Sequence, residues 1–131
     1  MADCSVVTNT SGDAYPLADA MTTSVSVQDE ATVLTVAGEV DLATAPALET
    51  AIETTLGGAP AALIIDLSQV SFLASAGMAA LVAAHQRAGS TRIVVVADGP
   101  ATGRQLKMTN LDQVFAVHRT LDEALGALRG N

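Results

Sequence analysis

Aromatic residues are almost missing from this chain: of 131 residues two are Phe, one is Tyr and none is Trp. A core without large rings must be filled by Val, Leu, Ile and Ala. Such small side chains let backbones approach closely, as where helices lie tightly on a sheet. Basic residues are also scarce. Six Lys plus Arg stand against fourteen Asp plus Glu, giving a formal net charge of -8, and the six are spread thinly along the sequence. A surface that tracks phosphates needs a basic stripe, so direct nucleic-acid binding is not expected. The acidity serves solubility by default and favours a partner with a basic rim.

Cysteine is represented by Cys4 alone, which excludes an internal disulfide and a cysteine-rich zinc site. No apolar run approaches the ~18 residues of a membrane span. The N-terminus has neither the basic segment nor the apolar stretch of a secretory signal. The expectation is a soluble, cytoplasmic protein without a membrane partner. Catalytic and cofactor signatures are missing as well: there is no G-x-G-x-x-G, no G-x-x-x-x-G-K-[ST], no H-E-x-x-H and no G-x-S-x-G. His85 and His118 have no Cys or His companion nearby in sequence. No metal, no cofactor and no enzymatic activity are expected.

What is present is a pattern of alternating elements in a length suited to one domain. Residues 1–21 are polar and aperiodic and read as a mobile tail; residues 22–131 read as the domain. β-branched runs at 25–27 and 32–37 flank the polar turn Gln28-Asp29-Glu30, which predicts an antiparallel hairpin broken at Gly38. Thr44 is placed to cap a helix with Pro46 in its first turn and Ala45, Leu48, Ile52 and Leu56 at helical spacing, ended by Gly57-Gly58. The continuous apolar runs 63–67 and 93–97 read as strands buried on both faces. Between them lies a helix anchored by Met78, Leu81, Val82 and His85 and otherwise rich in Ala. A short helix with Leu106 and Met108, a left-handed cap at Asn110, a strand at 114–117 and a final helix opened by the capping box Thr120-Leu121-Asp122-Glu123 complete the series. The expected fold is α/β: a single mixed sheet, beginning with a hairpin and continuing through alternating helices and strands, with helices packed on it.

Two polar islands stand out. Ser75 sits where a strand passes into a helix, between Ala74 and Ala76-Gly77, none of which offers a competing hydroxyl. Read plainly it is an N-cap worth ~1 kcal/mol. Read functionally, a hydroxyl at a helix N-terminus is a site where a phosphate is tolerated by the helix dipole while the surface gains up to about two negative charges. The use of Ser75 as a hydrolase nucleophile needs a base and an oxyanion hole, and nothing in the sequence nominates either. Gly38-Glu39-Val40-Asp41 lies between a strand and a helix, either as a simple turn or, if strand ends gather, as a neighbour of Ser75.

At these two segments the chain resembles the STAS-domain family, specifically the bacterial anti-sigma factor antagonists. The stretch 33–45, with Gly38-Glu39-Val40-Asp41, is similar to the family's strand, G-E-[LV]-D turn and helix. Phe72-Leu73-Ala74-Ser75-Ala76-Gly77-Met78 is similar to its F-[LM]-D-S-[STA]-G-[LM] phosphorylation loop. Segments 108–115 and 121–125 match its C-terminal section, so that the resemblance spans about residues 25–128 in order. It implies a STAS fold and a binding switch. The unphosphorylated protein binds an anti-sigma factor, usually a serine kinase, and frees a sigma factor; that kinase phosphorylates the loop serine, here Ser75, and a PP2C-type phosphatase resets it. The resemblance assigns the partner surface to Gly38, Glu39, Asp41, Thr44, Ala74, Ser75, Ala76, Gly77 and Met78. Two departures, Ala74 for the family's common Asp and Ala76 for a second hydroxyl, lower the expected efficiency of phosphorylation. A different use of the same fold, as a soluble scaffold or accessory subunit of a transporter or stress-sensing complex, is the alternative.

Overall fold

The computed structural model describes residues 21–28 and 31–129. Cys4, the Tyr15-Pro16-Leu17 spot and residues 1–20 of the expected tail lie outside the described residues, as do Asp29 and Glu30 of the hairpin turn. Met21, read with the tail, belongs instead to the sheet: it opens the first strand, pairs with Gly38 and is 8% exposed in the core.

The chain runs β1 (Met21–Gln28), β2 (Ala31–Val40), α1 (Ala45–Gly57), β3 (Ala62–Leu73), α2 (Ser75–Arg87), β4 (Arg92–Val96), α3 (Gly103–Met108), a 3-10 turn (Leu111–Gln113), β5 (Ala116–His118) and α4 (Leu121–Arg129). One five-stranded sheet holds the strands in chain order, β1-β2-β3-β4-β5. β1 and β2 pair antiparallel as the hairpin requires, and every later neighbour is parallel.

Period-two alternation divides the strands between two cores. Leu34 and Val36, Leu63, Ile65 and Leu67, and Ile93 and Val95 face one side, where Leu48 and Ile52 of α1, Leu81 of α2 and Leu106 of α3 cover them. Val33, Ile64, Val94 and Val96 face the other side, where Ala124 and Leu125 of α4 lie. The two-faced burial of β3 and β4 is what their unbroken apolar runs demand.

Three expectations are corrected. Gly38 does not end β2; with φ 101° it continues the strand to Val40, and the pairing with β3 slips beside it. The polar stretch 68–71 is not a loop but the later part of β3, in which extra residues are absorbed as bulges between the pairs Thr35↔Asp66 and Ala37↔Gln69, and again between Gly38↔Val70 and Glu39↔Phe72. The last strand is Ala116–His118 rather than 114–117: Phe115 is buried, but Val114 is exposed and precedes the strand.

α2 also turns a different stripe inward. Gly77, Ala80, Leu81 and Ala84 are buried, Met78 and Val82 pack partly against the core, and His85 is exposed beside Phe115, with ring centroids 6.4 Å apart. The small residues set the approach distance. A Cβ on Gly77 would stand 2.5 Å from Val40 Cγ1 and 2.7 Å from Leu73 Cδ1. The start of α2 therefore rests directly on the ends of β2 and β3. An exposed ion pair between Arg87 of α2 and Glu53 of α1 adds little to this packing.

Candidate functional site

Parallel pairing of β2 and β3 brings the two polar islands of the sequence to one rim. Val40 is registered with Leu73, and the ladder continues one step further, since Ala74 N donates to Val40 O at 2.8 Å. Ser71 Oγ donates to Gly38 O at 3.3 Å. The residue that opens α2 is thus tied to the segment that carries Asp41. This is the juxtaposition that sequence alone left conditional.

Ser75 is the first residue of α2, and the capping position belongs to Ala74, extended at φ -86° and ψ 171°. An alanine there has no side-chain acceptor. Its carbonyl accepts from Gly77 N at 3.0 Å and Met78 N at 3.1 Å. The serine hydroxyl is therefore not spent as a cap: Ser75 is exposed and makes no side-chain hydrogen bond among the described residues. With no side-chain cap, the Ser75 and Ala76 amides are left open at the positive end of the helix dipole. An anionic group on Ser75 Oγ would meet favourable partial charges locally.

The Asp41 segment is braced from within. Asp41 Oδ1 accepts from Ala43 N at 3.0 Å, from Thr44 N at 3.1 Å and from Thr44 Oγ1 at 3.2 Å. Thr44 Oγ1 accepts from Asp41 N at 2.9 Å, and its single proton is shared between Glu39 O at 3.0 Å and Asp41 Oδ1. The cap of α1 is accordingly a correction to the reading of Thr44: the Thr44 side chain makes no cap bond, and the local turn is closed by the Asp41 carboxylate. Thr44 is 5% exposed.

The nine residues singled out in the sequence thus fall into different situations. Ser75 and Glu39 are exposed, and Gly38, Asp41, Ala74, Ala76 and Met78 are half-buried on the rim. Thr44 and Gly77 are buried and hold the rim from beneath. Thr109 Oγ1 lies 3.7 Å from Met78 Sδ, which places the end of α3 against the first turn of α2.

Sequence reading missed the apolar character of this end. Leu42, between Asp41 and the start of α1, is 81% exposed, Met108 at the end of α3 is 70% exposed, and Phe72 near the end of β3 is 50% exposed. The signal was present for Leu42, a large apolar residue inside an otherwise polar connection. Nothing in a helical pattern marks Met108 as outward-facing. Among the described residues no group of His, Cys, Asp and Glu is arranged to hold a metal ion.

A mixed five-stranded sheet with a hairpin start, three helical segments on one face and a closing helix on the other, and a serine at the start of the helix after the third strand, defines a small single-sheet α/β module. The model of the STAS domain matches residues 22–124, and the chain belongs to that family. The anti-sigma-F factor antagonist RsfB of Mycobacterium tuberculosis is 42% identical over 113 residues, which cover 86% of this chain and 93% of RsfB. The crystal structure of an anti-sigma factor antagonist from Mycobacterium paratuberculosis superimposes with a TM-score of 0.82 at 47% identity, covering 85% of this chain and 96% of that one. The Bacillus cell fate determinant SpoIIAA in its phosphorylated form shares the fold at a TM-score of 0.62 and 19% identity, covering 82% of this chain and 99% of its own.

Proposed function

We propose that this chain is an anti-sigma factor antagonist whose docking is switched at Ser75. The observation that carries the reading is the Ser75 hydroxyl, exposed and without an internal partner at the first residue of α2, beside the rim built by Asp41 and Thr44. The names borne by its mycobacterial relatives supply the partner, an anti-sigma factor; in this reading that partner is bound when Ser75 is unmodified, and a sigma factor is released as the result. The protein acts by binding and has no catalytic role of its own. Its site of action is the cytoplasm, in keeping with the finding that no described helix is long and apolar enough to cross a membrane.

The partner in this reading is of the serine-kinase type and places a phosphoryl group on Ser75 Oγ; a PP2C-type phosphatase removes it. The physical basis of the switch is charge in a surface that must lose water on docking. Leu42, Met78 and Met108 give that surface its apolar area, and Gly38, Glu39, Asp41, Ala74 and Ala76 give it its shape. A phosphate on Ser75 adds up to about two negative charges there. Burying them unpaired costs several kcal/mol, and ~3 kcal/mol already weakens binding more than a hundredfold. No change of fold is needed.

The test is a pair of variants titrated calorimetrically against candidate anti-sigma factors. Ser75→Ala is expected to bind as the wild type does, and Ser75→Asp to bind about a hundredfold more weakly. Equal, tight binding by both variants removes the switch.

A further inference from the structure

The cations of this acidic chain are scattered in sequence, yet the fold collects half of them. Of six Lys plus Arg, Arg104, Lys107 and Arg119 line one cleft of about 640 Å³. Its volume lies within the roughly 300–1,000 Å³ of small-molecule sites. It is placed where such sites occur in α/β folds, at the carboxyl ends of parallel strands: Ala97 follows β4 directly and Val117 belongs to β5, and both line it.

None of the three cations makes an ion pair among the described residues. In a molecule with fourteen carboxylates, three unpaired cations around one hollow leave a local positive field awaiting an anion. The elements that present them are braced. Thr102, 1% exposed, donates its hydroxyl to Asp98 O at 3.3 Å, and Arg104 N donates to Gly99 O at 2.9 Å. A Cβ on Gly103 would stand 3.0 Å from Asp98 Cα and 3.2 Å from Ala97 O, so glycine lets α3 begin almost in contact with the end of β4. Arg104 and Lys107 are thereby held over the cleft from one side, with Arg119 after β5 on the other.

Asp98 and Asp112 line the same cleft. They repel a bare anion but accept from hydroxyl groups. The combined set of donors and acceptors suits a ligand that is anionic at one end and rich in hydroxyls at the other. We infer that the cleft binds a small organic phosphate of the sugar-phosphate class, its phosphate held by Arg104, Lys107 and Arg119 and its hydroxyls by Asp98 and Asp112. The site shares no residue with the Ser75 rim and does not depend on the reading given to Ser75.

The experiment is an NMR amide-shift titration of the full chain with ribose 5-phosphate, inorganic phosphate and ribose in parallel. Saturable shifts are expected with ribose 5-phosphate, centred on residues 97–107 and 117–119, with weaker binding of inorganic phosphate and none of ribose. Arg104→Gln and Arg119→Gln, both at exposed side chains and checked for an unchanged spectrum elsewhere, are each expected to weaken ribose 5-phosphate about tenfold, the ~1.4 kcal/mol of one charge-assisted contact. Ser75→Ala is expected to leave the affinity unchanged. The inference is overturned by the absence of saturable shifts with ribose 5-phosphate, by undiminished binding in the two arginine variants, or by inorganic phosphate binding as tightly as the sugar phosphate.

Discussion

At the scale of single residues, the rim depends on one carboxylate and one missing side chain. Asp41 accepts three hydrogen bonds from Ala43 and Thr44, and it does so in the place of a side-chain cap for α1. Asp41→Ala leaves two backbone amides of the turn without that partner and is expected to cost about 1–2 kcal/mol, read as a lower urea midpoint at unchanged slope. Thr44→Ser keeps the hydroxyl that bridges Glu39 O and Asp41 N and is the control that stays near wild type. Gly77 poses the opposite problem. Alanine is the better helix former by about 1 kcal/mol, yet its Cβ would fall 2.5 Å from Val40 Cγ1. Val40 is β-branched and has little rotamer freedom to withdraw, so the overpacking cost of roughly 1–3 kcal/mol outweighs the propensity gain. Gly77→Ala is therefore expected to lower the urea midpoint, whereas at a helix position facing solvent the same change raises it.

At the scale of elements, legibility followed burial. The runs 63–67 and 93–97 announced strands because both of their faces are covered, by α1, α2 and α3 on one side and α4 on the other. The hairpin, the right order of elements, Asn110 in its left-handed conformation at φ 63° and the Thr120 cap, whose hydroxyl accepts from Glu123 N at 3.1 Å, were all readable from local chemistry. The capping box itself is altered: the Glu123 carboxylate returns to Arg119 N, at 3.2 Å, not to the threonine. What local chemistry could not give was register. The polar residues of 68–71 looked like a loop because bulges, which spoil alternation, are settled by the partner strand and leave no mark in the sequence. The adjacency of Asp41 and Ser75 is likewise a product of β2 and β3 lying parallel. The candidate site residues stood out as a resemblance and as a strand-to-helix serine, while Leu42 and Met108 needed the exposure that coordinates supply. α4 offers a test of the layered arrangement. Among the described residues it alone covers the second face, through Ala124 and Leu125, on the side of the sheet opposite α1 and α2. Leu125→Ala is expected to cost about 2–3 kcal/mol of stability, seen in chemical denaturation. Affinity for the anti-sigma factor, measured where the variant is still folded, is expected to stay unchanged; a parallel loss of binding would mean that the two faces are coupled.

At the scale of the whole molecule, charge acts in two separable ways. The formal net charge of -8 produces a long-range negative field that steers a partner with a basic rim and is screened over ~10 Å at 0.1 M salt. In the proposed switch, charge added at Ser75 would act over contact distance, in a surface stripped of water as the complex forms. The first effect belongs to encounter and the second to the lifetime of the docked state. A phosphomimetic adds one unit to eight, so it changes the far field little, but it places that unit on the Asp41 rim, the proposed point of contact. For wild-type protein, stopped-flow association with the anti-sigma factor is expected to slow by about tenfold as salt rises from roughly 0.02 to 0.5 M, with dissociation little affected. For Ser75→Asp the association rate is expected to remain within about threefold of wild type at each salt concentration, while dissociation accelerates by about a hundredfold. If the variant instead binds weakly because association alone is slow, the added charge acts by repulsion at a distance and desolvation at the rim is not the basis of the switch.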